Sequence, residues 1–439
     1  MSRSTADWSR TALLVRESRG HWVGEAAAAV HAAGLRAVLL APPMPEEEAA
    51  ALSEVVDGVV AVDDVHDLGT LLVAVHETTG GARPAGMMTG SDGLVAVVAQ
   101  AAEALGVARC SAEVFTVARN KHAVRRVLTE AGLPGPRFAL IGDAEEATAV
   151  ADHVGLPAIV KPVNGAGSNL VRTVTTVTEL ADAYRLLATR LPESTDPRYH
   201  RSVSGRAGEP ELDPTRVFLV EGLLRGPEYA IDVLVRDGEV EPVELLDKPL
   251  IDEHKFELAL SCPPLGLTTE RAKVVTDAVC EAIRALGLDN TVAHVEVIDD
   301  EVAGPTIVEI NAGRPAGSIM PLLAKLRTGV DVFAEATSLA LGTPPPKREA
   351  PSLPIQLGML ILYPRESGRL VAVHGVDEVA ELPEVIDVVT TLTPGELVND
   401  DQEVYGVNLV VAGFTDHDDL ATLYDEAAKK VRFELEETS

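Results

Sequence analysis

The chain has 439 residues, 46% of them hydrophobic and 24% charged, which is the balance of a folded globular protein with room for about two to four domains. Its 37 Lys and Arg against 68 Asp and Glu leave a formal charge of −31. A surface that acidic repels phosphate backbones and anionic lipid, so neither nucleic acid nor a membrane is expected as a partner; otherwise the charge serves solubility. In chain order, residues 12–15, 37–40, 58–62 and 85–88 read as short strands, and 25–33, 68–77 and 94–105 as helices, with Gly34 and Gly106 as stops. This alternation predicts an α/β fold that opens with a parallel sheet covered by helices on both faces. No GxGxxG follows the first strand, so a dinucleotide fingerprint is absent.

From Asn120 the texture changes. A helix at 121–131 stops at Gly132 and Pro134, and a second follows at 144–154. A strand at 158–163 runs into Asn164, Gly165, Ala166, Gly167, Ser168 and Asn169, a turn-rich loop. A strand at 171–177 and a helix at 178–190 come next. Residues 192–215, rich in Pro, Ser, Gly and charge, read as a long exposed loop. Strands are expected at 217–221, 228–236 and 239–246, the last two joined by the hairpin signal Asp237-Gly238. A helix at 271–286 precedes strands at 291–298 and 306–311. Three prolines at 344–346 mark a boundary. Beyond it, strands at 355–362, 385–391 and 408–413 alternate with a final helix at 417–431.

Cys110, Cys262 and Cys280 are far apart and form no CxxC pair. Neither a zinc ribbon nor a disulfide framework is predicted, and a cytoplasmic location fits. The apolar run at 11–15 is too short for a signal-peptide core, and no stretch approaches the ~18 apolar residues of a membrane span.

Three groups carry chemistry. Glu296 and Glu309 stand on two neighbouring strands, and Asn311 shares a face with Glu309 by the period of two. Hard oxygen donors on one sheet face suit Mg²⁺, although alternation alone also produces such pairs on a solvated face. Arg314 follows in a Gly/Pro loop, where a fixed cation stabilises a transferring phosphoryl group. In the second group, Lys121 opens a helix and Lys161 precedes the Gly-rich loop, whose backbone N–H groups suit a phosphate. The loop is not a Walker A sequence, and an ordinary hairpin turn is the competing reading. The third group is Glu221 with Leu223 and the strand beginning at Glu228, a strand end able to offer polar groups to a base edge; a simple strand–turn–strand is the alternative.

In this order, the three groups resemble the ATP-grasp fold over residues 115–341. The region after 346, with Gly375, Val376, Asp377, Glu378 and a strand region around Gly395, is similar to the C-terminal domain of bacterial L-amino-acid ligases. The resemblance implies an N-terminal α/β domain at 1–115, an ATP-grasp domain at 116–345 with its small lobe at about 123–220, and a C-terminal α+β domain at 346–439. It implies ATP and Mg²⁺ (two ions, with Mn²⁺ as a substitute) as cofactors. Lys121 and Lys161 match the phosphate lysines; Gly165, Gly167 and Ser168 match the loop over the phosphates. Glu221 and Leu223 fall at the adenine hinge and Glu228 at the ribose acid. Glu296, Glu309 and Asn311 match the metal ligands, and Arg314 the arginine on an acyl phosphate. Relatives have Asn-x-Arg, whereas here Asn311-Ala312-Gly313-Arg314 is one residue longer, so the loop must bulge at Gly313.

Lys248, His254, Lys255 and Glu257 lie in the stretch that faces substrate in amino-acid ligases, where Glu257 suits a substrate ammonium; a charged surface loop is the alternative. His294 shares the face of Glu296 and is either a second-substrate contact or a satisfied core histidine. Small residues through Ser318 leave room for a bulky acceptor. The expected activity is that of an ATP-dependent carboxylate–amine ligase joining two amino acids by way of an acyl phosphate. Another ATP-grasp branch and a non-catalytic nucleotide-binding protein are the rivals. The implied partners are small-molecule amino acids, and the resemblance leaves a homodimer open.

Overall fold

The computed structural model describes residues 7–18, 22–253, 255–317, 319–353, 355–400 and 403–436. Strands Thr11–Val15, Arg36–Ala41, Gly58–Ala61 and Gly86–Met88 form a parallel sheet with Thr11–Val15 between Arg36–Ala41 and Gly86–Met88. Both faces of this sheet are covered, which is why the strands are continuous apolar runs rather than alternating ones. Leu13, Val15, Val38 and Leu40 pack with Leu71, Val75 and Val98 on one face. Ala12, Leu14, Ala37 and Leu39 pack with Val23, Ala26 and Val30 on the other.

The second sheet has the order Phe138–Ile141, Phe218–Gly222, Ala158–Pro162, Arg172–Val174, all antiparallel. Its period of two divides the labour within each strand. Ala158 and Val160 join Leu180, Leu187, Phe218 and Val220 in a core beneath helices Ala147–Val154 and Val177–Arg190. Ile159, Lys161 and Glu221 point the other way, into a cavity.

The largest sheet has eight antiparallel strands in the order Gly304–Ala312, Thr291–Asp300, Glu228–Arg236, Glu239–Ile251, Glu257–Cys262, Leu357–Leu362, Val407–Val411, Val385–Thr390. Helix Thr269–Leu286 lays Val275, Val279 and Ile283 against Ile231, Val233, Val295 and Val297. The alternate residues His294 and Glu296 therefore face the cavity. The final helix is His417–Lys430, and strand Arg432–Glu436 behind it pairs with Gly368–His374.

Three features depart from the sequence expectation. The strand expected to end at residue 246 runs to Ile251, because Glu257–Cys262 pairs with it past the polar Asp247 and Lys248. Strands Phe138–Ile141, Glu257–Cys262, Gly368–His374 and Arg432–Glu436 were not anticipated at all. The 192–215 segment is a largely exposed loop as expected, but it is anchored. Tyr199 is 1% exposed within the small-sheet core, Val203 and Leu212 bridge to each other, and Arg201 reaches Asp64 in the N-terminal region at 2.6 Å. A single large aromatic seats the segment where composition suggests solvent. No helix among the described residues is long and apolar enough to cross a membrane.

Leu13 and Leu14 are fully buried on opposite faces of one strand. Leu13→Ala and Leu14→Ala are each expected to lower unfolding free energy by about 2–5 kcal/mol in urea titrations, since each leaves a cavity that a covered parallel sheet cannot collapse.

Candidate functional site

A cavity of about 700 Å³ lies between the four-stranded and the eight-stranded sheets. Of the residues singled out from the sequence, His254 and Ser318 fall outside the described residues; the others line this cavity.

On the small-sheet side, helix Lys121–Glu130 starts with Asn120 as its cap, the Asn120 side chain accepting from Ala123 N. The Lys121 N–H donates to Val163 O at 2.8 Å, which fixes the helix end at the mouth of the Gly-rich loop. Lys121 Nζ then reaches Gly165 O at 2.7 Å and pairs with Glu309 across the cavity. Gly167, Ser168 and Leu170 all have positive φ. The loop is held from several directions. Asn169 Nδ2 donates to Tyr199 Oη at 3.1 Å, Asn164 Nδ2 to Arg198 O at 2.8 Å, and Glu403 N to Gly167 O at 3.0 Å. The 192–215 segment thus buttresses the loop from behind.

Lys161 Nζ lies 2.6 Å from Glu221 Oε2, and the Arg125 guanidinium takes the other carboxylate oxygen while also donating to Val308 O at 3.0 Å. Burial alone would raise the Glu221 carboxyl; the charges of Arg125 and Lys161 outweigh it and hold the group down at about 2. This buried cluster joins the small sheet, the helix Lys121–Glu130 and the edge strand of the large sheet. Beyond Glu221, the Leu223 N–H is taken by Pro157 O at 3.0 Å.

On the large-sheet side the strand register is decisive. Glu296 stands directly opposite Glu309, and His294 opposite Asn311. All four share one face by the period of two, with a bulge after Glu296. Glu309 is paired with Lys121. Glu296 lies 3.2 Å from Lys248 Nζ, which also contacts Glu228 at 2.9 Å and Glu257. Burial would lower the Lys248 ammonium, but its three carboxylates raise it well above its ordinary value. Glu296 is held at about 2, burial being outweighed by Lys248, His294 and Lys121. His294 Nδ1 is 3.0 Å from the buried Asp232, which also accepts from Ala316 N at 3.0 Å.

Arg314 follows the longer loop. Gly313 has φ +86°, and a Cβ there would lie 2.5 Å from Val95 Cγ1, so the turn accepts only glycine. The Arg314 Nε donates to Asp92 Oδ1 at 2.9 Å, while Asp92 also holds Arg119 and, at 3.1 Å, Arg198. Burial is outweighed by the three guanidiniums, and the Asp92 carboxyl sits well below its ordinary range. One N-terminal carboxylate therefore orients the arginine of the large sheet and the segment that supports the loop.

Sequence reasoning missed Arg125, Asp92, Asp232, Glu403 and Tyr405. The first three carry no local signal, since their partners lie 27 to 222 residues away. Glu403 and Tyr405 come from the C-terminal region and line the cavity beside Glu257.

A family model described as ATP-grasp domain matches residues 154–321, and one described as L-amino acid ligase C-terminal domain 2 matches residues 360–436. The chain is 32% identical over 277 residues to the uncharacterized protein y4rH of Sinorhizobium fredii, covering 63% of this chain and 52% of that protein. It is 27% identical over 242 residues to the carbamoyl phosphate synthase large chain of Streptomyces griseus, covering 53% of this chain and 19% of the relative. With the D-alanine--D-alanine ligase of Marinobacter nauticus it shares 26% over 250 residues, 54% of this chain and 66% of that one. The chain thus spans about half the length of the first of these relatives and about a fifth of the second. Among solved structures, an L-amino acid ligase from Bacillus licheniformis superposes with TM-score 0.76 at 21% identity, over 97% of this chain and 99% of that one. A phosphoribosylglycinamide synthetase from Anaerococcus prevotii superposes with TM-score 0.65 at 15% identity, over 97% and 100%. At these identities the likeness establishes a shared fold.

Because the folded Glu221 carboxyl sits below its unfolded value, its stabilisation is complete above pH ~4.5 and is lost as the pH falls toward ~2. Wild type is therefore expected to lose more unfolding free energy between pH 7 and pH 3 than Glu221→Gln does, read by denaturant titration at each pH. Parallel losses would count against the ion cluster.

Proposed function

We propose that this chain, an ATP-grasp protein with an L-amino acid ligase C-terminal domain, is an ATP-dependent carboxylate–amine ligase that joins two amino acids. The observation that carries the reading is the opposed pair Glu296–Glu309, with Asn311 beside it, facing Lys121, Lys161 and the Gly-rich loop across one cavity. Two carboxylates and an amide oxygen are the hard donors that magnesium prefers, and they fit it. No group of three His, Cys, Asp or Glu poised for a metal exists among the described residues, so the amide of Asn311 completes the donor set. Lys121 and Lys248, now paired with Glu309 and Glu296, supply the compensating charge. Magnesium bound by these residues would neutralise phosphate charge.

In the proposed reaction a substrate carboxylate oxygen attacks the γ-phosphorus of ATP. The bond to the β-phosphate oxygen breaks, giving an acyl phosphate and ADP. The amine of the second substrate then attacks the acyl carbon, phosphate leaves with the bonding pair, and the amine gives up a proton. Such chemistry needs positioning and charge stabilisation rather than a nucleophilic side chain. The protein's part is to hold the phosphates with Lys121, Lys161 and the backbone of Gly165, Gly167 and Ser168. Arg314, fixed by Asp92, faces the same cavity as a cation for the acyl phosphate. The aliphatic wall of Ile159 and Leu224, with the strand end at Glu221 and Leu223, suits a base, and Glu228 suits a ribose.

Phosphate release from Mg-ATP, measured with every pairwise mixture of the common amino acids and followed by mass spectrometry, tests the reading. Release that requires two amino acids, with a product mass equal to their sum less water, is the expected outcome. Release with one carboxylate and no amine would move the chain to another ATP-grasp branch, and ATP binding without turnover to a nucleotide-binding protein. Glu309→Ala is expected to reduce turnover by at least a thousandfold while leaving thermal unfolding within a few degrees of wild type.

A further inference from the structure

The segment 192–215 has a second side, which grips the N-terminal region. Two acids stand there beyond the carboxyl ends of parallel strands, Asp64 after Gly58–Ala61 and Asp92 after Gly86–Met88. Asp64 Oδ1 accepts from His66 N at 2.9 Å, which leaves Oδ2 to Arg201 at 2.6 Å. His66 Nε2 lies 3.2 Å from Glu17 Oε2, and Glu17 Oε1 accepts from Gly93 N at 3.3 Å. The two loops that carry Asp64 and Asp92 are thereby pinned to each other through Glu17. They present two carboxylates to Arg198 and Arg201 of the segment.

The same turn, Pro197–His200, holds the Gly-rich loop on its inner side. Tyr199, buried between the two arginines, accepts from Asn169, and Arg198 O accepts from Asn164 Nδ2. Arg119, which shares Asp92 with Arg198, donates to Asn164 O at 3.2 Å. Both ends of the loop are therefore fastened to elements that Asp92 holds. The loop itself is strained, since Ser168 and Leu170 have φ of 49° and 54°, left-handed values that such residues seldom adopt. A conformation of that kind persists only while its surroundings over-determine it. The far limb of the segment is seated differently, on helices Ala112–Arg119 and Lys121–Glu130. Arg206 pairs there with Glu130, Ala207 N donates to Glu113 Oε1 at 3.2 Å, and Glu209 pairs with Arg126.

We propose that residues 196–201 form a latch by which the N-terminal region holds the Gly-rich loop over the cavity. Arg201 and Asp64 are its outer catch; their side chains are 43% and 40% exposed, so water separates them at little cost. Arg198 and Asp92, each 14% exposed, are the inner catch and part after the outer one. The far limb stays on its helices and serves as the hinge. Release of both catches frees Asn164 and Asn169 together, and the strained loop lifts as a unit. The consequence for a ligand rests on the nucleotide reading above: a loop held down slows departure of the nucleotide, so the N-terminal region sets how long it stays.

Charge reversal tests the latch at its outer catch, where neither residue lines the cavity. Asp64→Arg, Arg201→Glu and the double exchange are compared with wild type. The first readout is amide hydrogen exchange of the unliganded protein, followed at Asn169, Val171 and Glu403, whose N–H groups bond to Ala166 O, Ser168 O and Gly167 O in the seated loop. Each single reversal is expected to speed exchange there by about threefold or more, since an exposed pair is worth a factor of about two to five and reversal adds repulsion. The double exchange is expected to restore the wild-type rate, which a general loss of packing would not allow. Unchanged exchange in both single variants, or a double variant as fast as the singles, would overturn the latch. The second readout is release of a fluorescent ADP derivative with Mg²⁺ in stopped flow, expected to quicken in the single variants and recover in the double. Release at the wild-type rate from a loosened loop would overturn the latch's hold on nucleotide. Loop exchange as expected in a protein that binds no nucleotide would leave the latch standing and sink the nucleotide reading.

Discussion

The arrangement depends on keeping carboxylates ionised where water is scarce. Glu221 is buried and Glu296 half-buried on facing sheets, and each is held at about 2 by cations drawn from other elements. Arg125 and Lys161 do this for Glu221, and Lys248 is the nearest cation for Glu296. A buried charge without its partner is strongly destabilising, and the contacts that cross between the sheets come from helix Lys121–Glu130, where Arg125 holds Glu221 and Val308 O and Lys121 holds Gly165 O and Glu309. The apolar cores on the outer faces supply the rigidity against which the charges are set.

The same logic extends outward from the cavity. Asp92, at the end of the N-terminal region, binds Arg119, Arg198 and Arg314 at once. Arg198 belongs to the segment whose Tyr199 backs the Gly-rich loop, and Arg314 faces the cavity. At the opposite end Glu403 meets both the loop and Glu257. The C-terminal region therefore places one acid, Glu403, at the central cavity, and the N-terminal region places one, Asp92, behind Arg314. A site made this way gains its precision from elements far apart in the chain, which accords with the proposed chemistry, chiefly one of positioning.

Individual residues show what could be read in advance. Lys161 was visible because it interrupts an apolar run just before glycines, and the same alternation that buries Val160 turns it to the cavity. Glu296, Glu309 and Asn311 were visible because spacing on two strands sets which side chains share a face. That Glu296 stands exactly one strand away from Glu309, rather than one residue out of register, was not visible, since register is chosen by pairing along the full strands. The anchoring of the 192–215 segment was not legible because its composition is that of a surface loop, while a single tyrosine buried among apolar neighbours seats it. Strand Arg432–Glu436 alternates charge with Phe433 and Leu435 and has no local mark beyond that; it exists because Gly368–His374 offers an edge.

Periodicity and punctuation in the chain by themselves determined the α/β alternation, the covered parallel sheet, the Gly-rich turn and the face on which each acidic residue of strands Thr291–Asp300 and Gly304–Ala312 lies. These are properties of neighbours within a few residues, and the physics that sets them is local. Only the tertiary structure decided which lysine meets which carboxylate, that Arg125 joins Lys161 at Glu221, and that Glu403 comes to Glu257 from 146 residues away. Those pairings follow from burying charge, and a charge finds its partner only once sheets and helices have brought distant segments within a few ångströms.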